Sequence, residues 1–335
     1  MRAGAFVWLA CLAALGADAS GKRFSGHNRF DLDREDIREF VTTTAPAIGY
    51  DPGELYAILA KAEPQPRIIE LMQRPAEKVA PWWKYRENFL TRERIDKGVA
   101  FFGEHRDTLA AVSEASGVPG EYIVAIIGVE TFYGRITGRW RVLDALATLG
   151  FDYSPRGEFF RAELAQFLQL VREEHVDALS VLGSYAGAMG APQFIPSSYR
   201  NYAVDGSGDG RRDLFSDWHD VFASIANYFR EHGWQAGAPV LAEAEADPDG
   251  SYTADPRNLE LNETIASLRA EGVVVHSDLP AETPALLIPA EEKEGPAVRV
   301  GFANFRVITR YNRSVRYAMA VHDLATAISG RVGTQ

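Results

Sequence analysis

Cysteine is almost absent: the 335-residue chain has one, Cys11. A lone thiol forms no internal disulfide, so the fold must rest on its apolar core rather than on covalent staples. A chain long enough for about two domains can bury enough surface to do so. Excess positive charge is missing as well. The formal net charge of -11 argues against a nucleic-acid partner, whose phosphates favour basic faces. Beyond the first residues no apolar run is long enough for a bilayer-spanning helix. No internal repeat or low-complexity tract stands out.

What is present is ordinary for a globular protein, 46% hydrophobic and 24% charged. The N-terminus is the exception. Arg2, an apolar stretch from about Ala3 to Leu15, and Ala17-Asp18-Ala19 before Ser20 have the basic, apolar and small-residue order of an export signal. Cleavage after Ala19 would leave a soluble exported protein without cysteine. A lipid anchor on Cys11 is the weaker reading, because Trp8 is a poor residue three positions ahead of it.

Helical periodicity runs through Arg34 to Thr42 and Pro52 to Lys61, and breaks at Pro64-Gln65-Pro66 and Arg74-Pro75. It resumes as a long helical region from Pro81 through Phe102. Further helices are expected over Leu143 to Leu149, Glu158 to Glu174 and Asp220 to His232. Near Gly237 the character changes. Short alternating runs such as Ala285 to Pro289 and Ala297 to Phe302 surround one expected helix, Glu263 to Arg269, stopped by Gly272. Helical periodicity returns from Tyr311 to Ser329. A helical body interrupted by a small α+β insert accounts for this order.

Glu130 is the only charged residue between Tyr122 and Tyr133. Pro119 and Gly134 suit the two ends of a helix there. On a 3.6-residue period Glu130 shares a face with Ile123, Ile126 and Ile127. Desolvation disfavours its ionised form and raises its pKa. An acid kept protonated near neutral pH is what cleavage of an acetal bond requires. A structural Glu paired with a buried Arg would give the same pattern.

Other stretches are unusual. Gly183 to Tyr199 is rich in glycine and small residues, which permits close approach to a ligand or a tight helix crossing; Gln193 within it offers both a donor and an acceptor. Asp205-Gly-Ser207-Gly-Asp209-Gly-Arg211 puts oxygen side chains at positions 1, 3 and 5 of a calcium-type loop, with Gly at 6. Arg211 would give its carbonyl there. Position 12 is Ser216, so closure falls to Asp217 or Asp220; a metal-free Asp/Gly turn has the same composition. Tyr228 lies on an amphipathic helix and reads equally as core. Asn312, between Tyr311 and Tyr317, suits a sugar site, or a capped helix start with Asn312 or Ser314 at the cap.

Taken in order, Glu130-Thr-Phe-Tyr-Gly134, Gly187-Ala-Met-Gly190, Pro192 to Tyr199, Ser207-Gly-Asp-Gly210, Ala226-Asn-Tyr-Phe229 and Ile308 to Ser314 resemble the lytic transglycosylase B family, glycoside hydrolase family 103. The likeness extends over roughly residues 27 to 330. It implies a mainly α fold, with a lysozyme-like helical core, a helical outer domain and a small inserted α+β domain. The expected division is 1–19 signal peptide, 20–95 N-terminal helical domain, 96–236 catalytic core with the calcium-type loop, 237–304 insert and 305–335 return to the core. Glu130 matches the family's acid/base. Ser184, Gln193, Tyr228, Tyr311, Asn312 and Tyr317 match residues around its sugar cleft. Asp205, Ser207, Asp209, Arg211 and Asp220 match a calcium-loop region of some members.

The activity implied is cleavage of peptidoglycan at the bond from N-acetylmuramic acid to N-acetylglucosamine, without water, to 1,6-anhydro ends. Ser184 is expected to hold Glu130, and Tyr311 and Asn312 to orient the substrate's acetamido group. No cofactor is required for that chemistry, and calcium would be structural. The expected partners are glycan strands and other cell-wall enzymes, in the periplasm. A hydrolytic muramidase, or a peptidoglycan-binding protein without activity, are the alternatives.

Overall fold

The computed structural model describes residues 29–73, 80–247 and 250–333. The expected export signal and Cys11 lie outside the described residues, as do Arg74 and Pro75. In chain order the elements are helices α1 (Glu35–Ala47), α2 (Pro52–Leu59), α3 (Pro66–Gln73), α4 (Trp82–Arg86), α5 (Arg92–Glu104), α6 (Arg106–Ser116) and α7 (Gly120–Thr131). Strand β1 (Trp140–Arg141), α8 (Val142–Asp152), a 3-10 turn (Ser154–Arg156), α9 (Gly157–Glu173), β2 (Leu182–Gly183), α10 (Pro196–Tyr202) and α11 (Trp218–Glu231) follow. The rest is β3 (Leu241–Ala246), β4 (Glu263–Thr264), α12 (Ile265–Ala270), β5 (Val273–Val275), β6 (Pro284–Pro289), β7 (Val298–Gly301), α13 (Ala303–Tyr311) and α14 (Val315–Val332). The protein is mainly α, and among the described residues no helix is long and apolar enough to cross a membrane.

The chain divides into two compact units, one with residues 29–73 and 134–221 and the other with 80–133 and 222–333. In the first, α8 is buried from Val142 to Phe151 and packs on α9 through Phe160, Leu164, Phe167 and Leu168. The proline-rich break before α3 is not a free loop. Buried Asp144 accepts the Glu63 amide at 2.9 Å, and Thr148 Oγ accepts the Gln65 amide at 2.9 Å. Pro66 then starts α3, since proline lacks only a donor that a first turn leaves unpaired anyway.

In the second unit α7 is apolar nearly all round and packs against α5, α6 and α14. The region from Pro81 through Phe102, expected as one helical stretch, is two helices, α4 and α5. Thr91 caps α5 by accepting the Arg94 amide, and His105 separates α5 from α6. The insert is a five-stranded antiparallel sheet of order β4-β6-β7-β3-β5. Its inner face (Ala285, Leu287, Val298, Val300) covers Ile265 and Leu268 of α12. Glu263 and Thr264 form a strand rather than the start of that helix, because Thr264 and Ser267 make a reciprocal capping box that fixes the boundary. Arg299 of β7 clamps Asp323 of α14 at 2.9 and 3.1 Å, tying sheet to helices.

Candidate active site

Glu130 occupies the last turn of α7, where nine residues from Gly120 to Thr131 are buried. The residue keeps partial exposure while protein atoms crowd its carboxyl. Burial pushes that carboxyl up from 4.5 to about 7, and a hydrogen bond from Tyr317 pulls the other way. Tyr317 Oη donates to Glu130 Oε1 at 2.6 Å. Among the described residues no second carboxylate figures among the groups that act on Glu130. The structural alternative of a buried ion pair with Arg is not what the geometry provides: its partner is a phenol.

The C-terminal stretch supplies the surroundings. Ser314 caps α14 through the Tyr317 amide, which sets Tyr317 on the first turn facing α7. Tyr311 stacks on Tyr317 with ring centres 6.5 Å apart and planes 12° apart. Tyr228 of α11 packs on Tyr311 at 4.9 Å and donates its hydroxyl to Arg310 O at 2.7 Å. His232 stacks on Tyr228 at 4.1 Å, and burial lowers its pKa, so it is neutral near pH 7. The Tyr311 and Tyr317 hydroxyls are pushed far above their ordinary value by burial and then by the Glu130 charge. They are donors, not bases. Asn312 ends α13 in an extended conformation and is buried, and its Oδ1 has no hydrogen-bond partner.

Tyr85 on α4 completes this group and was not singled out as a site residue from sequence. Burial, then the Glu130 charge, raises its hydroxyl pKa, while Arg316 opposes. It sits in an aromatic run with Trp82 and Phe89 that reads as ordinary core, so no sequence signal marks it.

Ser184 and Gln193 belong to the other unit. The stretch from Gly183 is a turn closed by short β bridges (Gly183 to Met189, Met189 to Phe194), not a helix crossing. Ser184 Oγ accepts the amides of Ala186 and Ala188 at 3.3 and 3.0 Å, so its acceptor capacity serves its own turn. On Glu130 the hydrogen bond is donated by Tyr317. Gln193 adopts a left-handed φ of 53° and donates Nε2 to Thr137 O and Gly190 O, both at 3.0 Å. It braces the loop after Gly134.

The calcium-type loop is exposed from Asp205 to Arg211. Asp205 accepts the amides of Gly208, Asp209 and Gly210, which curl the loop and hold its carboxyl below the usual range. Asp220 is buried and turns both oxygens to amides of Gly206, Ser207 and Asp213. Among the described residues no group of three or more His, Cys, Asp or Glu side chains is placed to hold a metal ion. The side-chain oxygens of Asp205, Ser207, Asp209 and Asp220 and the Arg211 carbonyl are the hard donor type that calcium takes.

Fold and site together define a class: a mainly helical, lysozyme-like enzyme with a desolvated carboxyl, Glu130, that accepts a hydrogen bond from a tyrosine. Residues 33–326 match the Transglycosylase SLT domain, and the chain belongs to this lytic transglycosylase family. It is 40% identical over 301 residues to the membrane-bound lytic murein transglycosylase B of Escherichia coli (strain K12), covering 87% of this chain and 82% of the relative. It is also similar to the structure of the catenated lytic transglycosylase SltB1 of Pseudomonas aeruginosa, with a TM-score of 0.86 and 44% identity over 89% of this chain and 98% of that one. The Escherichia coli lytic transglycosylase Slt35 in complex with calcium matches with a TM-score of 0.83 and 37% identity, over 92% of this chain and 96% of the other.

Proposed function

We propose that this protein cleaves the β-1,4 bond from N-acetylmuramic acid to N-acetylglucosamine in peptidoglycan and closes the muramic acid into a 1,6-anhydro ring. The observation that carries the reading is the solitary Glu130 carboxyl, raised to about 7, with Tyr317 on one oxygen. Such a group holds a proton at working pH and can give it up and take one back. Protonated Glu130 donates to the glycosidic oxygen as the bond to the muramic-acid C1 breaks. Two-carboxylate glycosidases place a second acid within about 10 Å to stabilise or attack C1. With no such acid acting on Glu130, the substrate's own 2-acetamido oxygen takes that role. The unpaired Asn312 Oδ1 is the acceptor an acetamido N–H would satisfy, which turns the carbonyl toward C1. Ionised Glu130 then removes the proton from the C6 hydroxyl, whose oxygen bonds to C1 as the acetamido oxygen leaves. The proton count closes without water.

Partly exposed Tyr311, backed by buried Tyr228, would meet a pyranose, and Ser184 and Gln193 are further proposed contacts for a glycan. The loop from Asp205 to Arg211 would hold a structural calcium through Asp205, Ser207, Asp209 and the Arg211 carbonyl. Asp220 shapes the loop through its amides. The export-signal pattern and the murein named for the Escherichia coli relative support action in the periplasm.

Product mass decides the chemistry. Digestion of purified sacculi should release muropeptides lacking the mass of one water relative to reducing ends, and Glu130→Gln should release none. Reducing ends from the wild type would mean hydrolysis; normal rates from Glu130→Gln would remove Glu130 from the mechanism.

A further inference from the structure

We propose that Arg94 is a positioning residue, which with Tyr133 fixes the shape of the chain that carries Glu130. The proposal rests on the reading of Glu130 as the acid. Helix α7 does not end in an ordinary way. Phe132 and Tyr133 both adopt left-handed φ, 51° and 62°, before Gly134 at 77°. Consecutive non-glycine residues in that region are rare and are held there only by their surroundings. The Tyr133 amide reaches back to Ile127 O at 3.2 Å, closing a wide turn at the end of the helix. Within this turn the Arg94 guanidinium donates to the Gly128 carbonyl.

Every contact of Arg94 serves this turn or its own anchoring. Its guanidinium lies over the ring of Phe132 at 4.8 Å and that of Phe89 at 5.4 Å, and Nη2 reaches Asn88 O at 3.3 Å. Among the described residues Arg94 makes no ion pair, and its buried Nε has no partner. A half-buried cation without a counter-ion is a costly way to fill space. Tyr133 closes the circuit by donating its hydroxyl to Arg94 O at 2.8 Å. Its ring fits because positions 98 and 128 are glycine: a Cβ there would stand 2.5 and 2.8 Å from the hydroxyl oxygen. Glu130 sits between the two clamped points, Gly128 and Phe132.

The groups facing Glu130 are Tyr85, Tyr311 and Tyr317, and its pKa follows from burial and Tyr317. Arg94 thus acts through shape, by keeping the last turn closed over the carboxyl. Without it the turn frays and water reaches Glu130.

The test compares wild type, Arg94→Met, Arg94→Lys, Tyr133→Phe and Glu130→Gln on purified sacculi across pH, with melting temperatures alongside. For Arg94→Met we expect kcat to fall about 10- to 100-fold with KM within about twofold, the signature of a misplaced catalytic group. The alkaline midpoint of its pH–rate profile should drop by about half a pH unit or more, as a rehydrated carboxyl requires. Arg94→Lys should recover part of kcat, and Tyr133→Phe, which keeps the ring in its seat, should move the midpoint the same way. If the Arg94 variants lose activity only in step with their folded fraction and the midpoint stays, the proposal is wrong. Should Arg94→Met not fold, Tyr133→Phe with an unmoved midpoint overturns it equally. An active Glu130→Gln would sink the acid assignment instead, a distinct failure.

Discussion

Replacing Glu130 by Gln should make the protein more stable in base while abolishing its chemistry. The carboxyl titrates at 4.5 in ordinary surroundings and at about 7 in the fold. Each pH unit is worth about 1.4 kcal/mol, so the gap corresponds to about 3 kcal/mol. The sign follows from proton uptake. Below 4.5 both native and unfolded chains hold the proton and the group is neutral to stability. Between 4.5 and 7 the unfolded chain releases it and the native chain does not, so native stability falls as pH rises through that window. Above 7 the loss is complete. Gln carries no charge at any pH and still accepts from Tyr317 through its amide oxygen. The assay is urea unfolding of both proteins at pH 4, 5, 6, 7 and 8. Subtracting wild type from variant cancels every other titrating group. The difference should be flat near pH 4 and climb toward about 3 kcal/mol in favour of Gln by pH 8. A difference that stays level across the series would mean the carboxyl is not desolvated, and the argument for a proton held near neutrality would fall with it.

Tyr317→Phe removes the bond that stabilises ionised Glu130, so the alkaline midpoint of the pH–rate profile should move up by about one pH unit; an unmoved midpoint would deny the Tyr317 contact its electrostatic role. Asn312→Ala deletes a buried acceptor with no partner, so urea stability should hold or rise while kcat/KM falls about tenfold, the worth of one hydrogen bond to substrate. Activity equal to wild type would remove Asn312 from the cleft. The calcium-type loop offers two carboxylates with no bidentate Glu, which points to a Kd of about 10⁻⁴–10⁻³ M. Calcium at that level should raise the melting temperature, chelation should reverse it, and Asp205→Asn should abolish the effect; no shift in wild type would leave the loop a plain turn.

What the sequence disclosed and what it hid differ in kind. Glu130 was legible because one charge in an apolar helix breaks a local pattern. Tyr311 and Tyr317 were legible because they bracket a polar residue at a helix start. Secondary structure was read where periodicity and breakers are local, and misread where a cap decides. Thr91 and Thr264 each end a run that hydrophobicity alone would continue. The contacts that give Glu130 its properties are not local. Tyr317 reaches it from 187 residues away, and Arg94 reaches Gly128 from 34 away, which no spacing rule encodes. Asp205 and Asp220 read as ligands by composition, and only the fold reveals which loop amides their oxygens accept. Tyr85 looks like core, and it is core on one side. The same physics governs both halves of this list. An aromatic or a carboxylate contributes burial or hydrogen bonding wherever it lands, and its chemical role is set by which unpaired atom the tertiary structure brings against it. For Glu130 that atom is a phenol oxygen and for Gly128 a guanidinium nitrogen, while for Asn312 Oδ1 the proposed partner is a substrate N–H.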